Sequence, residues 1–139
     1  MATNVVDALA HVPMLSSLDR RHLERLSKDF ADRTFPAGSV IVRQGDDRGI
    51  GFFVIADGTA SVSVDGSEVA KLHGGDHFGA IALIADRVRT ATVIAESDLH
   101  CYVMTLWDFR SFVRADAEVA WALLEQLAGM VQKSQGHHH

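Results

Sequence analysis

The sequence predicts a mainly β domain of sandwich, jelly-roll or barrel type with helices at both ends. Three observations carry this. Between Phe35 and Thr105 short apolar runs are punctuated by glycine, as in "SVIVRQG", "GFFVIADG" and "TASVSVDG", the mark of closely spaced strands and turns. On either side of that stretch the apolar period lengthens to that of a helix. And 139 residues with 47% apolar and 22% charged content suffice for one domain with a real core and are too few for two ordinary ones. The domain is read as residues 1–135, with N-terminal helices over 4–31, strands over 34–105 and C-terminal helices over 106–133; the terminal "GHHH", 136–139, reads as a tag remnant.

In chain order, "SSLDRRHLERLSKDF" predicts an amphipathic helix with Ser16 or Ser17 as N-cap and Leu23, Leu26 and Phe30 on one face. Strands follow in "SVIVRQG", "GFFVIADG", "TASVSVDG", "SEVAKL", "TATVIA" and "LHCYVMT". The clearest is "TASVSV", where Ala60, Val62 and Val64 alternate with Thr59, Ser61 and Ser63 to give one apolar and one polar face. Asp65-Gly66 then supplies the positive-φ pair that a tight hairpin prefers. Helical periodicity returns in "LWDFRSFV" and "ADAEVAWALLEQLAGMVQKS", where Val119, Leu123, Leu124, Leu127 and Val131 form a wide apolar stripe. No long-period repeat or low-complexity linker divides the chain.

Composition removes several function classes. A formal charge of -5 and a pI near 5.8 argue against holding nucleic acid through many phosphate contacts. Cys101, the single cysteine, cannot form an intrachain disulfide and sits in an apolar run, which reads as a core residue in a reducing compartment. No apolar run reaches membrane-span length and the N-terminus lacks a signal-peptide pattern, so the expected location is the cytoplasm and no membrane contact is expected. His73, Asp76 and His77 crowd one turn, but the two histidines flank its glycines rather than sharing a strand face, and no metal is expected. The His-X-His set of a cupin-type enzyme is lacking, serines have no matched base and acid, and no catalytic residue is assigned.

The stretch "GGDHFGAIALIADRVRTATV", Gly74 to Val93, is where a ligand site is expected. Glycines let a backbone approach a ligand, the start of a short helix presents free N–H groups, and arginine's planar fork suits phosphate oxygens. From the residues alone, Arg89 is such a ligand, a surface arginine between two strands, or one partner of a salt bridge with Asp86, while the nearby Arg87 is given a solvated role.

These residues carry a resemblance. "FPAGSVIVRQGDD", "FFVIADGTASVSV" and "GGDHFGAIALIADRVRTATVIA" resemble, in order and spacing, the cyclic nucleotide-binding domain family, also seen in the sensor half of catabolite activator proteins. The ordered set includes Gly45-Asp46, Gly58, Gly75-Asp76 and Phe78-Gly79, with Arg89-Thr90-Ala91-Thr92-Val93 ten residues on. The resemblance spans almost all of Leu15 to Val131. It implies a double-stranded β-helix jelly roll with flanking helices and a phosphate-binding cassette at Gly79 through Ala91. By that match Arg89 pairs with the phosphate oxygens of a cyclic nucleotide, cyclic AMP or cyclic GMP, while backbone N–H groups around Ile81, Ala82 and Leu83 face the same anion. Thr90 either donates to the phosphate and reaches a guanine amino group or simply starts a strand. Val62, Val64 and Leu72 are assigned to the base-facing side of the pocket.

Two positions depart from the family. Ala80 stands where a glutamate usually accepts a hydrogen bond from the ribose 2′-hydroxyl, which implies weakened or altered nucleotide affinity. Val88 replaces a frequent proline. The resemblance thus implies a non-enzymatic regulatory domain with no cofactor, whose ligand is the nucleotide itself. In the family the long C-terminal helix dimerises or closes over the base, and Trp121 to Val131 could do either or pack within the chain against the barrel and the "WDFRSFV" helix; the stripe is wider than one packing contact needs, and a homodimer through this helix is the expectation. The chain leaves no room after the long helix for the helix-turn-helix of catabolite activator-like regulators, so it is expected to be either a stand-alone sensor or the regulatory piece of a longer protein, its effector domain or protein unknown. The alternative from Ala80 is a degenerate fold serving as a nucleotide-independent interaction or dimerisation module.

Overall fold

A computed structural model describes residues 4–12, 15–46, 51–79 and 89–135. Its elements are helices α1 (Val5–Ala10) and α2 (Arg20–Ser27), then strands β1 (Ala31–Phe35), β2 (Val40–Val42), β3 (Phe52–Asp57), β4 (Ala60–Val64), β5 (Ser67–Leu72), β6 (His77–Phe78), β7 (Thr92–Ala95) and β8 (Leu99–Met104), and finally helices α3 (Leu106–Arg114) and α4 (Ala117–Gln135). The strands form two four-stranded sheets in the orders β1-β8-β3-β6 and β2-β7-β4-β5, with antiparallel pairing throughout. This is the two-sheet, mainly β architecture with flanking helices that the glycine-punctuated runs predict.

Strand β3 explains how the domain is put together. A half-buried strand alternates apolar and polar residues, whereas "FFVIA" is apolar at every position, which requires burial on both faces. Phe53 and Ile55 point between the sheets into a core with Val42, Ala60, Val93, Ala95, Leu99, Cys101 and Val103. Phe52 and Val54 point the other way, into a second core built with Leu9, Leu15, Leu26, Met104, Phe109, Val119 and Leu123. The strand is therefore the wall between the β-roll and the helices.

The hairpin turn behaves as its residues require: Asp65 has φ 53° and Gly66 φ 82°, the paired left-handed conformation that matches the twist of two antiparallel strands. Two expectations are corrected. The cap of α2 is Asp19, whose carboxylate accepts from the His22 N–H at 2.9 Å, not Ser16 or Ser17; Leu15 and Leu18 are buried in the segment before it, where the Leu18 N–H donates to the Leu15 carbonyl at 3.1 Å, the tight three-residue spacing that precedes the α-helix. The polar face of β4 is not uniformly wet: Ser61 is buried, standing between the much longer Lys71 and Ile94 of its two neighbouring strands.

At the C-terminus the predicted stripe divides. Val119 and Leu123 are buried and Leu127 packs beside them, while Trp121, Leu124 and Val131 remain exposed. His22 ties the N-terminal helices to this region, with one ring nitrogen 2.8 Å from Asp19 and the other 3.1 Å from Asp116, the residue that opens α4. The His22 contact, chiefly, holds the Asp116 carboxyl below its usual range.

Cys101 is buried in the inter-sheet core, where desolvation pushes its thiol up to about 12. The thiolate is the reactive form, so we expect no labelling by a thiol reagent at neutral pH in the folded protein and rapid labelling in denaturant. Rapid labelling under native conditions would contradict the packing described for β8.

Candidate functional site

Arg89 precedes β7, and its backbone is held from both directions by one turn: the Arg89 N–H donates to the Asp46 carbonyl at 2.8 Å and the Gly45 N–H donates to the Arg89 carbonyl at 2.9 Å. The side chain turns inward. The residue is only 8% exposed, and Nη2 donates to the Gly51 carbonyl at 2.9 Å.

Gly79 completes the arrangement. Phe78 before it stacks on Phe53 with ring centroids 4.6 Å apart, which anchors the approach to the turn in the inter-sheet core. Gly79 itself has φ +89°, and a Cβ there would lie 2.4 Å from the Gly51 oxygen and 2.8 Å from Arg89 Nη1. Both the backbone conformation and the close approach of the Gly51 carbonyl demand glycine. Three distant parts of the chain, at Gly51, Gly79 and Arg89, thus meet at one point.

The electrostatics of that point are unusual. A guanidinium has five N–H donors and cannot shed its charge in a protein. Among the described residues, no carboxylate forms an ion pair with Arg89, and its buried Nε has no hydrogen-bond partner. Desolvation draws its pKa below the ordinary guanidinium value. A buried cation that meets only a neutral carbonyl is costly unless an anion completes it. A planar fork whose Nε is unpaired among the described residues has the shape that grips phosphate oxygens in pairs.

The other residues predicted for the site fall as follows. Thr90 is exposed at the bend after the arginine, and Ala91 is half-buried. Val62, Val64 and Leu72 are half-buried on β4 and β5, with Val62 and Leu72 packed against the inter-sheet core. Ala80, Ile81, Ala82 and Leu83 lie outside the described residues, as do Asp86, Arg87 and Val88. In the His73–His77 turn, Asp76 accepts from the His73 N–H at 2.8 Å, whereas the His77 ring lies edge-on to Phe52. Burial lowers the His77 pKa. Sequence reasoning passed over Gly51, whose contact is made by a backbone carbonyl, and Gln44, although the latter sits directly before the Gly45-Asp46 turn.

The family model of the cyclic nucleotide-binding domain matches residues 32–116, a span that contains every strand after the first residue of β1 together with the Arg89 site. The chain belongs to the cyclic nucleotide-binding domain family. The cAMP-dependent protein kinase regulatory subunit of Schizosaccharomyces pombe is 42% identical over 92 residues, covering 66% of this chain and 22% of that protein. Less than a quarter of that relative's length is therefore represented here. Among solved structures, the N-terminal domain of a transcriptional regulator from Streptomyces coelicolor superposes with a TM-score of 0.85 at 24% identity, covering 96% of both chains. The catabolite activator protein of Thermus thermophilus gives a TM-score of 0.70 at 25% identity over 90% of this chain and 61% of its own. The family's β-roll is the fold described above. No helix among the described residues is long and apolar enough to cross a membrane.

Proposed function

We propose that the chain is a non-enzymatic, cytoplasmic regulatory domain that binds cyclic AMP or cyclic GMP through its phosphate and passes the bound state to its helices. One observation carries this reading: Arg89 is buried, charged and, among the described residues, hydrogen-bonded by its side chain only to the Gly51 carbonyl. Family membership supplies the class of anion, and the name of the S. pombe relative supports cyclic AMP as the first ligand to try. Gly79, Arg89, Thr90 and Ala91, with the backbone of Ala80 to Leu83, would hold the phosphate; Val62, Val64 and Leu72 would face the base. Ala80 offers no carboxylate to a ribose hydroxyl, so affinity is reduced.

Strand β3 supports the transmission step. Gly51, which receives the arginine, directly precedes Phe52 and Phe53, which enter the helical and inter-sheet cores respectively. A displacement at the anion site therefore meets both cores within two residues. Calorimetry with cyclic AMP and with cyclic GMP tests the reading: saturable binding of either supports it, and no binding of either to the folded chain overturns it.

A second reading is favoured by Ala80 and by the exposed face of α4, where Trp121 is 64% and Leu124 57% exposed: a nucleotide-independent interaction or dimerisation module. Both readings place a homodimer on this helix and leave the effector as a further domain or protein. We expect the sedimentation coefficient to rise with concentration, and Trp121→Glu to suppress that rise. A strict monomer at high concentration, with and without nucleotide, would remove the dimer.

A further inference from the structure

We infer that Gln44 is a positioning residue for Arg89, acting as a clasp between the tip of the β4–β5 hairpin and the turn that holds the arginine. The Gln44 amide forms a reciprocal pair with Asp65: Nε2 donates to Oδ1 at 2.9 Å, and Oε1 accepts from the Asp65 backbone N–H at 2.8 Å. Only one orientation of the amide serves both contacts, because a carboxylate only accepts and a backbone N–H only donates. The Gln44 backbone is pinned as well, its N–H donating to Thr92 Oγ1 at 2.9 Å. The next two residues are Gly45 and Asp46, which grip the Arg89 carbonyl and N–H.

An unbroken series of contacts therefore runs from Asp65 through Gln44 and the Gly45-Asp46 turn to Arg89. It matters because the guanidinium has one hydrogen bond among the described residues, so the place of its fork depends on the place of its backbone. Binding groups must be held to about 0.5 Å by the residues behind them. The clasp also gives the exposed hairpin tip a path to the anion site through hydrogen bonds rather than core packing.

The inference rests on Arg89 being the anion-binding group, and the test separates the two. Gln44→Glu keeps the shape of the side chain but sets a carboxylate against Asp65 and removes the donor. Adding Asp65→Asn restores the side-chain contact with donor and acceptor exchanged, while the backbone N–H of residue 65 goes on donating to the side chain at 44, and asparagine tolerates the left-handed conformation at 65. Two measurements are made on the full chain. Amide hydrogen exchange without nucleotide should show faster exchange at Arg89 and Gly45 in Gln44→Glu and wild-type rates in the double variant. Calorimetry should show cyclic AMP affinity about three- to tenfold weaker in Gln44→Glu and restored to about twofold of wild type in the double variant.

Unchanged exchange at Arg89 in a folded Gln44→Glu protein would overturn the clasp, as would a double variant no better than the single. Gln44→Ala provides a second uncoupled variant should the charge pair disturb folding. If the wild-type chain binds no cyclic nucleotide, the ligand reading fails, and the exchange measurements still decide whether Gln44 positions Arg89.

Discussion

Arg89→Ala is expected to remove nearly all cyclic nucleotide binding while leaving the protein folded. Truncating one member of a buried, hydrogen-bonded charge pair costs about 2 to 5 kcal/mol of binding, which is a loss of roughly thirtyfold to several thousandfold in affinity. The upper part of that range applies here, because among the described residues no other cation shares the buried position beside Gly79. Stability should respond differently. The substitution gives up a charge-assisted hydrogen bond to the Gly51 carbonyl, worth about 1.5 to 3 kcal/mol net, and at the same time removes a charge whose burial opposes folding of the ligand-free protein. These effects offset each other, so the thermal midpoint without nucleotide should stay near that of wild type. Arg89→Lys should bind at an intermediate level, since it keeps the charge and loses the planar fork. Calorimetry beside a melting curve reads both effects; a folded Arg89→Ala protein that binds as wild type does would end the phosphate assignment.

The Asp65-Gly66 turn is legible from two adjacent residues, and the structure gives it the positive φ pair they predict. The relation of Phe78-Gly79 to Arg89 came from the family resemblance, since the residues alone left Arg89 open; the structure places Gly79 beside it. What escaped are contacts across distance. The Gly51 carbonyl lies 38 residues from Arg89 and is a backbone group, which no side-chain motif announces; Gln44 and Asp65, 21 residues apart, pair through an amide that reads as an ordinary surface residue. The start of α2 escaped for another reason. Ser16, Ser17 and Asp19 can all accept from a backbone N–H at a helix start, so the residue types do not tell which of them caps α2; Asp19 does. The stripe on α4 was visible as a width, but its division into a buried Val119–Leu123 edge and an exposed Trp121–Leu124 edge depends on where α3 and the N-terminal helices lie.

Ala80→Glu is expected to raise affinity for a cyclic ribonucleotide by about tenfold or more. Position 80 lies outside the described residues; by the family resemblance a glutamate there is the group that accepts from the ribose 2′-hydroxyl. A hydrogen bond between a carboxylate and a ribose hydroxyl contributes about 1.5 to 3 kcal/mol net, equivalent to roughly ten- to hundredfold in affinity. A carboxylate added to the cassette also contributes negative charge, which acts on the phosphate whether or not the sugar hydroxyl is recognised. The 2′-deoxy analogue separates these effects. It has the same phosphate and no hydroxyl at the position in question, so it should gain little from the glutamate or lose slightly, whereas the ribonucleotide gains in full. Equal gains for both would mean that the glutamate acts without the hydroxyl and that sugar recognition at position 80 is wrong. No gain for either, alongside an Arg89→Ala protein that binds like wild type, would leave the fold in place without its ligand and make the nucleotide-independent interaction module the better account of this chain.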